Sequence, residues 1–69
     1  MSEINKEKIG TLLRSLRGEK SREEVALAVG ISVSALTMYE TGQRMPRDEI
    51  KVKLALYYNR TVGSIFFAA

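Results

Sequence analysis

Between Ser21 and Gly42 the chain reads SREEVALAVGISVSALTMYETG, and this stretch leaves little freedom in how it folds. Ser21 and Ser32 stand where helix N-caps stand; Gly30 and Gly42 stand where helices stop. Ser21-Arg22-Glu23-Glu24 has the pattern of a capping box, in which serine and the glutamate three residues on satisfy each other's backbone donors. The helix it opens is predicted to run to about Val29, with Val25, Ala26 and Val29 inward. Gly30 then supplies the positive φ that a helix C-terminus needs. Ser32 caps a second helix over Val33 to Thr41, with Leu36 and Tyr39 inward and Ile31 plugging the turn. Its opposite face carries Val33, Ser34, Thr37, Met38 and Thr41, at spacings of three and four.

The flanks are helical too. Ile9, Leu12, Leu13 and Leu16 form one apolar stripe, so a helix is predicted from Lys6 to Arg17 or Gly18, with Asn5 as N-cap and Ile4 packing back as a staple. Pro46 can open a fourth helix, because its missing N–H costs nothing in a first turn, and Asp48 and Glu49 suit the positive end of the helix dipole. Ile50, Leu54 and one of Tyr57 or Tyr58 make its buried stripe, while Lys51 and Lys53 read as solubility charges. Thr61 caps a short fifth helix containing Val62, Ile65 and Phe66. With no strand alternation, repeat or linker, residues 1–69 read as a single all-α domain, a compact bundle of four to five short helices.

Composition removes most chemistry. The chain has no histidine and no cysteine, hence no common general base, thiol nucleophile or disulfide. Glu23-Glu24 and Asp48-Glu49 are sequence neighbours on helices, so each pair splays apart rather than sharing a proton or a metal. The five glycines form no phosphate-cradling loop. The expectation is a non-enzyme without catalytic residues, metal, cofactor or small-molecule ligand. Its longest apolar run, IFFAA, is too short to span a bilayer, and MSEINKEK is no secretory signal, which points to the cytoplasm. A net charge of +3 is a mild bias towards polyanions.

Two short helices joined by a tight glycine turn make a helix-turn-helix, whose second helix can enter a DNA major groove. IGTLLRSLR, SREEVA, GISVSAL, YETGQRMP, KLALYYN and SIFF, in that order and spacing, resemble the lambda-repressor-like, Cro-type (XRE) helix-turn-helix family from Ile9 to Phe67. Two features depart from its pattern: the first link is cut to Gly18-Glu19-Lys20, and Arg22 stands where most members carry glutamine. The resemblance implies an ion pair between Arg17 and Glu40 that fixes the third helix against the first. It implies phosphate contacts from Arg22, Ser32, Thr41, Gln43 and Arg44, extended by Arg47 and Lys20. Base reading falls to Val33, Ser34, Thr37 and Met38, a set without the Arg, Asn or Gln that make bidentate base contacts.

One recognition helix reads few base pairs, and proteins of this design bind as two-fold dimers with half-sites about one helical turn apart. The apolar tail, with Ile65, Phe66 and Phe67, is the candidate homodimer interface; the competing reading has both phenylalanines completing the core. The expected function is a sequence-specific transcriptional regulator of double-stranded DNA, a repressor, binding an inverted repeat as a homodimer. The alternative is a protein-interaction module on the same fold, including antitoxin-like partner binding.

Overall fold

The structure, a computed structural model, describes residues 5–67. Five helices follow one another: α1 Lys6–Arg17, α2 Arg22–Val29, α3 Val33–Glu40, α4 Asp48–Tyr57 and α5 Val62–Phe66, with no strand among the described residues. The expected staple residue Ile4 lies outside the described residues. None of these helices is long and apolar enough to cross a membrane.

Local chemistry sets most boundaries. Asn5, Ser21, Ser32 and Thr61 each accept a hydrogen bond from the backbone N–H three residues on, at 3.0 Å in every case. At Ser21 only the serine's half of the expected capping box is formed. Gly30, with φ 84° and ψ 34°, takes the left-handed conformation that ends α2, and the Ile31 N–H reaches back to the Ala26 carbonyl at 3.0 Å. Helix α3 ends at Glu40, one residue short of the expected end, with Thr41 as its C-cap.

The expected start of α4 is corrected. Pro46 does not open it: Pro46 is buried ahead of the helix, and Arg47 stays extended (φ −71°, ψ 167°) as the N-cap. The first turn begins only at Asp48, where Ile50 and Lys51 donate to the Arg47 carbonyl.

Helix α3 packs on α1 and α2, α2 on α4, and α5 on both α1 and α4. The core is built from Ile9 and Leu13 of α1, Val25, Ala26 and Val29 of α2, and Leu36 and Tyr39 of α3. It is completed by Leu54 and Ala55 of α4 and Ile65 and Phe66 of α5. Two further readings change here. Lys51, expected as a solubility charge, is buried. Its stem runs inside, its ammonium group sits 3.6 Å from Asp48, and it lies 5.8 Å and 4.9 Å from the ring centroids of Phe66 and Phe67. Ile65 and Phe66, expected at a dimer interface, are each 2% exposed, so they are spent inside the monomer. The five-residue α5 closes a small core with these two side chains, helped by partly buried Val62.

The tightest approach is between backbones. A Cβ on Gly10 would lie 2.6 Å from the Glu40 carbonyl oxygen and 2.8 Å from that of Tyr39. Only glycine lets α1 come this close to the end of α3. Gly63, also helical, has nothing within 4 Å of the same built position. Gly10→Ala is therefore expected to destabilise the fold by about 1–3 kcal/mol through overpacking, despite the helix propensity gained. Gly63→Ala should stabilise by up to about 1 kcal/mol. Thermal unfolding of the two variants checks the pair, and equal melting temperatures would contradict the close approach.

Candidate nucleic-acid interface

The site rests on a buried carboxylate. Glu40 is the last residue of α3, and its side chain has no solvent exposure. Arg17 Nε donates to Glu40 Oε2 at 2.8 Å, and Arg22 Nε donates to Glu40 Oε1 at 2.9 Å. One carboxylate thus ties the end of α1 and the start of α2 to the end of α3. Arg17 also donates through Nη1 to the Lys20 carbonyl at 2.7 Å, bracing the short link. The hydrogen bond from Arg17 to Glu40 outweighs the cost of burial and holds the guanidinium above its ordinary pKa, so it stays charged. Arg22 is the position where the sequence departs from its family resemblance. An arginine there reaches the second carboxylate oxygen, a link that the expected phosphate role did not include.

Tyr58 borders this cluster. Its ring is half-buried, but its hydroxyl is buried without a hydrogen-bond partner. Burial first, then the negative charge of Glu40, pushes the Tyr58 hydroxyl up to about 12. Tyr57 packs edge-on against it, with ring centroids 5.1 Å apart. Lys20, one of the expected phosphate contacts, lies against Tyr57, 3.2 Å from its hydroxyl and 4.8 Å from its ring centroid.

With Leu36, Tyr39 and Glu40 turned inward, α3 presents Val33, Ser34, Thr37 and Met38 on its other side. Ser34 is exposed, Val33 is 37% exposed, and Thr37 and Met38 are half-buried. The Ser32 hydroxyl accepts from Ala35 N–H, which leaves its proton at the helix start. Beyond the C-terminal end, Gln43 and Arg44 both donate their backbone N–H to the Met38 carbonyl, at 2.9 Å and 3.3 Å. This folds the loop back against α3 at Arg44, and both Arg44 and Arg47, three residues further on, are exposed. Neither arginine enters an ion pair among the described residues.

Thr41 needs correction as a phosphate donor. Its hydroxyl donates to the Thr37 carbonyl at 2.8 Å and accepts from Gln43 Nε2 at 3.1 Å, and its backbone N–H also goes to Thr37. It has no donor to offer a phosphate; it orients Gln43 instead.

This is the surface of a helix-turn-helix regulator: a short, capped second helix with an unencumbered outer face and cations beside it. The family model for the helix-turn-helix matches residues 13–65, and the chain belongs to that family. None of the curated protein sequences matches the chain. Among solved structures, the restriction-modification controller protein C.AhdI from Aeromonas hydrophila is similar at 32% identity and a TM-score of 0.78. That likeness covers 87% of this chain and 94% of that one. The SOS-response transcriptional repressor LexA from Eubacterium rectale is similar at 25% identity and a TM-score of 0.83, covering 90% of this chain and 68% of that one. The clp gene regulator ClgR from C. glutamicum shares the fold, with 24% identity, a TM-score of 0.76, and 93% and 86% of the two chains covered.

Two expectations follow from the carboxylate cluster. Glu40→Ala strands two cations and should cost about 3–5 kcal/mol of stability. Arg22→Ala leaves Arg17 in place and removes a group whose side chain is 30% exposed, so about 1 kcal/mol is expected. Denaturant titration checks the order, and an Arg22 loss as large as that of Glu40 would contradict it. For Tyr58, an unfolded tyrosine ionises near pH 10, whereas the folded one holds its proton to about 12. Stability is therefore intact below pH 10 and falls as pH rises through this window. Tyr58→Phe should flatten that alkaline decline and leave the neutral-pH melting temperature equal or higher, measured by circular dichroism from pH 7 to 12.

Proposed function

We propose that this chain is a sequence-specific DNA-binding transcriptional regulator. It acts as a repressor in the cytoplasm and binds an inverted repeat as a homodimer, with α3 in the major groove. The observation that carries this reading is the outer face of α3. Glu40 anchors the helix from inside, the cap leaves its N-terminus open, and the loop folded back on its far end carries exposed Arg44, with exposed Arg47 three residues on. Phosphates would be held by Ser32, Gln43, Arg44 and Arg47, with the partly exposed guanidinium of Arg22 reaching one while it stays on Glu40. Val33 and Met38 would pack on thymine methyls, with Ser34 and Thr37 beside them. Likeness to a restriction-modification controller protein and to a transcriptional repressor supports gene control, exerted by occupying promoter DNA.

For the homodimer, Phe67 is the one of the three tail residues with surface to offer, at 58% exposed. Val52 and Leu56, one turn apart on the outer side of α4, are exposed large apolar groups as well. Together they supply the apolar material that a second copy would cover.

The test is selection from random duplex DNA at roughly physiological salt, where non-specific binding is weak. An enriched inverted repeat supports the reading, and its spacing reports the dimer geometry. No enrichment by folded protein overturns it. In salt titrations on the selected site, Arg44→Ala should flatten the slope of log K against log salt by about 0.9 for each phosphate that Arg44 neutralises.

A further inference from the structure

Thr37 carries a polarity that the residue type alone does not. A threonine hydroxyl can donate or accept, and so by itself separates bases poorly. Here its proton is already committed: Thr37 Oγ1 donates to the Val33 carbonyl one turn back, at 2.9 Å. A helical threonine is stiff about χ1, and this bond selects the rotamer. Turning the proton outward would break a bond already made. What Thr37 shows a partner is therefore lone pairs and a methyl group.

Its neighbours do not supply the missing donor at that place. Thr41, one turn on, also spends its proton inward on the Thr37 carbonyl, and Gln43 occupies its outer side. Val33 and Met38 are apolar. Ser34 alone among the base-facing residues has a hydroxyl outside every hydrogen bond among the described residues, and it is one position round the helix from Val33.

Resting on the DNA-binding reading above, we propose that Thr37 reads the major groove as an obligatory hydrogen-bond acceptor. It selects an exocyclic amino group, adenine N6 or cytosine N4, and rejects the carbonyl edge of guanine or thymine at that strand position. Every base pair carries one amino group in its major groove, on adenine or on cytosine. An acceptor at a fixed place therefore sorts A and C from G and T without distinguishing A from C. The recognition helix would read one position as amino against keto, amid thymine methyls read by Val33 and Met38.

The experiment compares sites selected from random duplex DNA by the wild-type protein, Thr37→Val and Thr37→Ser. Valine keeps the shape and removes the oxygen; serine keeps the oxygen. The wild type should show one position per half-site where A and C exceed G and T by about fivefold, the scale of a modest single base contact. Thr37→Val should lose that bias at that position alone, and Thr37→Ser should keep it. A second measurement leaves the protein untouched: purine, which lacks the 6-amino group, replaces adenine at the position. Wild-type affinity should fall about fivefold while that of Thr37→Val stays level. A selected motif that Thr37→Val leaves unchanged, or a Thr37-dependent preference for G or T, overturns the inference and leaves the DNA-binding reading standing. No selected motif from folded wild type overturns both.

Discussion

A carboxylate sealed from water inside a 69-residue chain is expensive unless its charge is met and its oxygens are bonded. Glu40 has both conditions satisfied, with one arginine on each oxygen, and those arginines come from different helices. The position of α3 follows from this. The end of the helix cannot drift without pulling a charge away from its partners in a poorly solvated place. Gly10 adds a second constraint at the same place, because it lets α1 and the end of α3 meet at backbone distance beside the Arg17–Glu40 pair. Apolar packing alone accepts rearranged side chains of similar volume, losing uniqueness before stability. A carboxylate bonded on both oxygens, beside a backbone contact, is tied to particular partners. The structure thus gives α3 a fixed pose, which a surface that reads hydrogen-bond positions on DNA requires.

The same arrangement separates functions along the chain. Arg17 and Arg22 point inward to hold α3, and Arg44 and Arg47 remain outside with no partner among the described residues. Charge that stabilises is thereby separated from the exposed charge that the proposed function assigns to phosphates. Arg22, partly exposed, stands at the boundary. The outer face of α3 is low in donors, because threonine protons are turned back into the helix. In the proposed function such a face would read few features per half-site, which would leave correspondingly more to a second copy and to the shape of the duplex.

How much of this was legible depended on whether the cause was local. Asn5, Ser21, Ser32 and Thr61 act within three residues of themselves, and helix starts at all four places can be read directly from sequence. The inward sets of α2 and α3 follow from period alone. What sequence could not supply were consequences of assembly. Arg22 looks like a surface cation until α2 is set beside Glu40. Lys51 looks like a solvated charge until α5 brings Phe66 and Phe67 over it. Ile65 and Phe66 look available to a partner until the core is seen to need them. Pro46 fits a first helical turn by its φ, but it is buried ahead of an extended Arg47 and the helix starts two residues later. The polarity of Thr37 and Thr41 depends on which carbonyl each hydroxyl finds, and no spacing rule chooses that.

The most direct test of the central claim, that α3 is held out as the DNA-contacting element, is amide chemical-shift mapping of the protein titrated with duplex DNA. The largest perturbations are expected in two segments, Ser32 to Met38 and Gln43 to Arg47, while the core amides of α1 and α5 stay still. Perturbations centred on α2 or on the Val52–Leu56 side of α4, with α3 silent, would contradict it.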